Sequence, residues 1–100
     1  MIDAEIEDRL RDKLPALARL GAIVRFDLGP DGAAVLDATG GRAVIDEKST
    51  AAPDCTISIT RENLLKLLDG KLDPLLGYTL GKIRVAGSIG TAMKLIGALD

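Results

Sequence analysis

The chain is 100 residues long, 28% charged and 47% hydrophobic, with a formal net charge of −2. That length makes one domain, residues 1–100, with a core able to bury roughly two thirds of the surface its unfolded form exposes. The near-balanced charge excludes a polybasic face and a nucleic-acid footprint, Phe26 and Tyr78 as the only aromatics give no platform for stacking bases, and apolar runs of a few residues fall far short of the ~20 needed to cross a bilayer.

Ile2, Ile6, Leu10, Leu14 and Leu17 recur at helical spacing between charged residues, which predicts an amphipathic helix that is acidic in its first turns. The start, MIDAEIEDRL, reads as neither a signal nor a transit peptide. Pro15 is expected to kink or break the helix near Leu14, with a second piece running to Gly21.

Ala22 to Leu28 reads as a strand, and a Gly29-Pro30-Asp31-Gly32 turn comes after it, in which Pro30 presets φ and Gly32 frees the backbone to enter the next strand. Ala33 to Ala38 and Arg42 to Asp46 are two further strands around Gly40-Gly41, so this part of the sheet is an antiparallel meander. After a polar loop, Cys55 to Ile59 alternates, with Cys55, Ile57 and Ile59 on one face. Thr60 is an N-cap for a helix carrying Leu64, Leu65, Leu67 and Leu68 that ends by Gly70. Asp73-Pro74 repeats the start signal for a short helix, and Gly81 stops it. Lys82 to Ala86 is a fifth strand with Ile83 and Val85 inward, and a last helix runs from Ser88 or Ile89 to Ala98.

Catalytic chemistry finds little to stand on. Without histidine the commonest general base and metal ligand are missing. Cys55 has no partner for a disulfide and reads as a small core residue, in keeping with a reducing, cytoplasmic setting. Most carboxylates fall on turns and helix starts. The chain therefore reads as non-catalytic, with no cofactor and no metal. What remains is an excess of aliphatic side chains: Leu64 and Leu68; Leu75, Leu76, Tyr78 and Leu80; then Ile89, Met93 and Ile96. A packed core and the wall of an apolar cavity share this alphabet, and periodicity does not separate them.

The C-terminal half carries a more specific signal. Gly70-Lys71, Asp73-Pro74, Gly81-Lys82, a strand ending in Gly87-x-x-Gly90, and Ala92-Met93-Lys94-Leu95 come in succession, with Asp54 to Ile59 opening this half. The pattern resembles the sterol carrier protein 2 family of lipid-binding domains, and the order of elements extends the resemblance over nearly the whole chain. Gly77, Tyr78 and Thr79 stand where the family often has alanine and consecutive aromatics. The chain ends Ala98-Leu99-Asp100, without the peroxisomal tripeptide of many eukaryotic members, which suits a stand-alone bacterial protein.

The resemblance implies an α+β fold: a five-stranded, mostly antiparallel sheet covered on one face by helices, with an apolar tunnel between them. It implies binding and transfer of a fatty acid, fatty acyl-CoA or sterol-like lipid. Leu64, Leu68, Leu75, Leu76, Tyr78, Leu80, Ile89, Met93 and Ile96 are the expected lipid contacts. Lys71, Lys82 and Lys94 are candidates to attract a charged head, and transient contact with a membrane surface is a further expectation. Gly87 and Gly90 are expected to turn the backbone sharply into the last helix. The alternative is an accessory or dimerisation module of the same fold that assists another protein; monomer and dimer both stay open.

Overall fold

The computed structural model describes residues 3–99. The expected position of Ile2 on the first helix therefore lies outside the described residues. Helix α1 (Ala4–Leu17) begins at Asp3, whose carboxylate accepts from the Ile6 N–H at 3.0 Å. It buries Ile6, Leu10 and Leu17. The expected break near Leu14 does not occur: Pro15 lies inside α1, which ends at Leu17 with no second piece. At that position the missing N–H removes one bond close to the end of the helix, where little of the ladder remains to be lost.

Strands β1 (Ile23–Asp27), β2 (Ala33–Asp37) and β3 (Val44–Asp46) form the antiparallel meander. A single turn of 3-10 helix at Gly29–Asp31 joins the first two, with Gly32 at φ 101°. Strand β4 (Cys55–Ile59) lies parallel to β1, and β5 (Ile83–Gly87) runs antiparallel to β4. The five strands are ordered β3-β2-β1-β4-β5, so one parallel pair sits at the centre of a mostly antiparallel sheet.

The register aligns one apolar face across the sheet. Leu36 stands opposite Val24, which stands opposite Cys55; Ala34, Phe26, Ile57 and Val85 form the next row. Arg25, Thr56 and Ala86 share a row on the opposite face. Helices α2 (Arg61–Leu68), α3 (Pro74–Thr79) and α4 (Ile89–Leu99) lie in the second half of the chain. Helix α4 packs on β4, β5 and α1; α1 packs on α2; and α3 packs on β5. Both expected caps form: Thr60 Oγ1 accepts from Asn63 N–H at 3.2 Å, and Asp73 Oδ1 from Leu76 N–H at 3.0 Å.

Side-chain ion pairs tie α1 to α2. Arg61 donates to Asp3 and, at 2.6 Å, to Glu5, while Arg9 reaches Asp69 at 2.9 Å. The Arg61 guanidinium, and after it the Ile6 N–H, holds the Asp3 carboxyl below its ordinary range.

Candidate functional site

The join between β5 and α4 is built around Asp54. Its N–H donates to Ile23 O at 2.7 Å, its carboxylate accepts from Ile23 N–H at 2.8 Å, and its carbonyl accepts from Ser88 N–H at 2.9 Å. A Cβ on Gly87 would stand 2.6 Å from that carbonyl oxygen, and Gly87 has φ 91°. Gly87 is therefore required by close approach and by conformation together. Gly90 is not, which corrects the pairing expected from the motif. It lies within α4, its φ is not positive, and the nearest neighbour to an added Cβ is Ser88 Oγ at 4.0 Å. Ser88 caps the helix, accepting from Thr91 N–H at 3.2 Å.

Cys55 is next to Asp54 and is buried to 1% exposure on the helix-covered face of β4. Burial, and then the negative charge of Asp54, push its thiol above the ordinary value. Such a group is a poor nucleophile at neutral pH. We expect thiol-reactive dyes to label Cys55 at least about a hundredfold more slowly than a free thiol in the native state, and at the free rate in denaturant. Fast native labelling would show the site to be open. Among the described residues, no cluster of Cys, Asp and Glu has the geometry to hold a metal ion.

The nine expected lipid contacts divide into two groups. Leu64, Leu68 and Ile96 are in the core, packed with Phe26, Ile57 and Leu95. Leu75, Leu76, Leu80, Ile89 and Met93 are on the surface, at 70%, 53%, 59%, 53% and 38% exposure, and Tyr78 is half-buried. The reason lies in Gly77. It is the buried residue of α3, and a Cβ there would meet Ile83 Cδ1 at 3.1 Å. With Gly77 turned onto β5, Leu75 and Leu76 fall away from the sheet, and Leu80, just past the end of α3, is exposed as well.

A groove of about 280 Å³ joins the two groups. It runs between α3 and α4, lined by Asp73, Pro74, Leu75, Met93, Ile96 and Gly97. This volume is at the lower edge of the roughly 300–1,000 Å³ of small-molecule sites. Three expected residues, Leu75, Met93 and Ile96, meet here. Gly97 was not anticipated. A glycine inside a helix costs about 1 kcal/mol relative to alanine, so its presence there is itself a signal of a packing or binding constraint.

Residues 4–100 match the SCP-2 sterol transfer family. Sterol carrier protein 2 of Rattus norvegicus is 34% identical over 101 residues, an alignment covering 95% of this chain but 18% of the rat protein. Among solved structures, palmitated SCP2L2 from Aedes aegypti superposes with a TM-score of 0.75 at 20% identity, over 99% of this chain and 95% of that one. The UbiJ-SCP2 ubiquinone synthesis protein superposes with a TM-score of 0.73 at 21% identity, covering 97% and 91% of the two chains.

Proposed function

The chain belongs to the SCP-2 sterol transfer family, and on that premise we propose that it is a non-catalytic carrier that holds the acyl chain of a fatty acid or fatty acyl-CoA, or a sterol-like molecule, beneath α3 and α4. The observation that carries this reading is the apolar groove between those helices, where Leu75, Met93 and Ile96 meet. Leu64 and Leu68 are buried in the core, and on this reading they meet the ligand once the groove deepens between sheet and helices. On this reading Tyr78, Leu76, Leu80 and Ile89, which do not line the groove, are recruited to the ligand when it opens. Helix α3 is six residues long and leans mainly on β5.

The physics asks for no specific polar contact. Each buried methylene is worth about 0.8 kcal/mol, so a ~16-carbon chain supplies roughly 12 kcal/mol before ordering costs. One methylene more or less changes little, and chains of neighbouring length compete nearly equally. The palmitated state of the Aedes aegypti protein supports the same use of this fold.

The test is displacement of a fluorescent fatty acid from the purified protein by palmitate, palmitoyl-CoA and cholesterol. Saturable binding, displaced by at least one of them, is expected. No saturable binding of the probe would overturn the carrier reading. It would favour the accessory-module alternative, which draws support from the shared fold of the ubiquinone synthesis protein and from the exposed leucines of α3.

A further inference from the structure

The groove between α3 and α4 is apolar except at one place. Pro74, Leu75, Met93, Ile96 and Gly97 bring no charged or hydroxyl group to it, and Asp73 brings a carboxylate. Lys71, Lys82 and Lys94, expected from the sequence to attract a charged head, do not line it. The one charged side chain of the groove is therefore negative.

Asp73 is exposed, at the turn into α3. Its Oδ1 accepts from the Leu76 N–H at 3.0 Å, and its carbonyl accepts from the Gly77 N–H at 2.8 Å. These bonds hold the residue in place as the cap of the helix. They leave Oδ2 without a protein partner, and no lysine or arginine of the described residues forms an ion pair with this carboxylate. A carboxylate held in this way keeps acceptor capacity to offer. The adjoining backbone does little to favour an anion in its place, because Pro74 has no N–H and the Leu76 N–H is already taken.

We infer that Asp73 selects the bound lipid by its head, favouring an alcohol or an amine over a carboxylate or another anion. The inference rests on the carrier reading above. A lipid in this groove lays its chain on Leu75, Met93 and the buried Ile96, which leaves its head at the exposed Asp73. A hydroxyl or ammonium there donates to Oδ2, in a bond strengthened by the charge of the acceptor. A fatty-acid carboxylate in the same place brings two like charges together and offers no donor. The chain contributes equally in every case, so the head decides among ligands of one tail length. Fatty acids are still bound through their chains, less tightly than the corresponding amines and alcohols.

The test separates the head from the tail. Dodecanol, dodecylamine and dodecanoate, identical in tail, are titrated calorimetrically into the full chain near neutral pH at low and high salt. Dodecanoate is expected to bind at least about tenfold more weakly than dodecylamine, with a gap that narrows as salt screens the charges. Asparagine caps a helix as well as aspartate does, so Asp73→Asn removes the charge and keeps the start of α3. In that variant the ratio of amine to carboxylate affinity falls about tenfold and loses most of its dependence on salt. Asp73→Ser, which also caps, behaves alike, while Asp31→Asn, which removes a carboxylate outside the groove, leaves the ratio within twofold. Melting temperatures verify the fold of each variant. A ratio unmoved in folded Asp73→Asn and Asp73→Ser, or dodecanoate bound as tightly as dodecylamine by the unaltered chain, overturns the inference and leaves the carrier reading standing. No saturable binding of any of the three ligands overturns the carrier reading, and the inference falls with it.

Discussion

Replacing Gly97 with phenylalanine should weaken fatty-acid binding at least tenfold and leave the protein folded. Gly97 lines the groove between α3 and α4, and nothing lies within 4 Å of a Cβ built there. The ring is expected to fill the groove, a space of about 280 Å³ with little volume to spare. Any helix-forming residue at an interior glycine position also regains part of the ~1 kcal/mol that glycine forfeits. Affinity for a fluorescent fatty acid should fall at least tenfold with no loss in melting temperature. Gly97→Ala, which removes the same backbone freedom without filling the groove, should bind nearly normally and melt slightly higher. Unchanged affinity in the phenylalanine variant would move the ligand away from this groove.

The second large effect is on stability. Gly87→Ala should destabilise the domain by about 3 kcal/mol or more, combining a φ that L-residues rarely adopt with a backbone clash. The added methyl meets the Asp54 carbonyl at 2.6 Å and Cys55 Cα at 3.1 Å, neither of which yields as a side-chain tip would. Relieving the clash pulls Ser88 N–H from the same carbonyl and loosens the start of α4. For a domain of this size each kcal/mol is about 4–8 °C, so the melting temperature should drop by roughly 12–24 °C. Gly90→Ala is the control, with a change within about 1 kcal/mol and a tendency to stabilise. Equal effects at the two positions would mean that the motif acts as a unit and that the Asp54 contact is unimportant.

These two glycines also mark how far the sequence could be read. Their spacing identified the strand-to-helix join, but nothing local distinguishes a glycine crowded by a distant carbonyl from one in open space. That distinction rests on Asp54, more than thirty residues away. The caps at Thr60 and Asp73 were legible because capping needs only residues three apart. The alternation of Cys55 to Ile59 was legible because one face of β4 is buried and the other is not. The parallel pairing of β1 with β4 has no local signature, since it depends on a long connection. Pro15 misled because the penalty of a helical proline depends on how much helix lies beyond it, and here α1 ends at Leu17.

The candidate site was legible in composition and obscure in geometry. Leu64 and Leu68 on α2 and Leu75, Leu76 and Leu80 around α3 read alike, yet the first two are core and the other three face solvent. The difference is made by Gly77, whose missing side chain lets α3 sit down on Ile83 and turns its leucines outward. Gly97, which opens the groove, reads in sequence only as a flaw in a helix.

That this chain holds a lipid between α3, α4 and the sheet is tested most directly by native mass spectrometry of freshly purified protein, then organic extraction and addition of palmitate or palmitoyl-CoA. The expected result is a discrete mass shift that extracts as a fatty acid or another lipid, or a bare protein that takes up one added acyl ligand. A protein that purifies bare and stays bare with both ligands in excess would contradict lipid carriage.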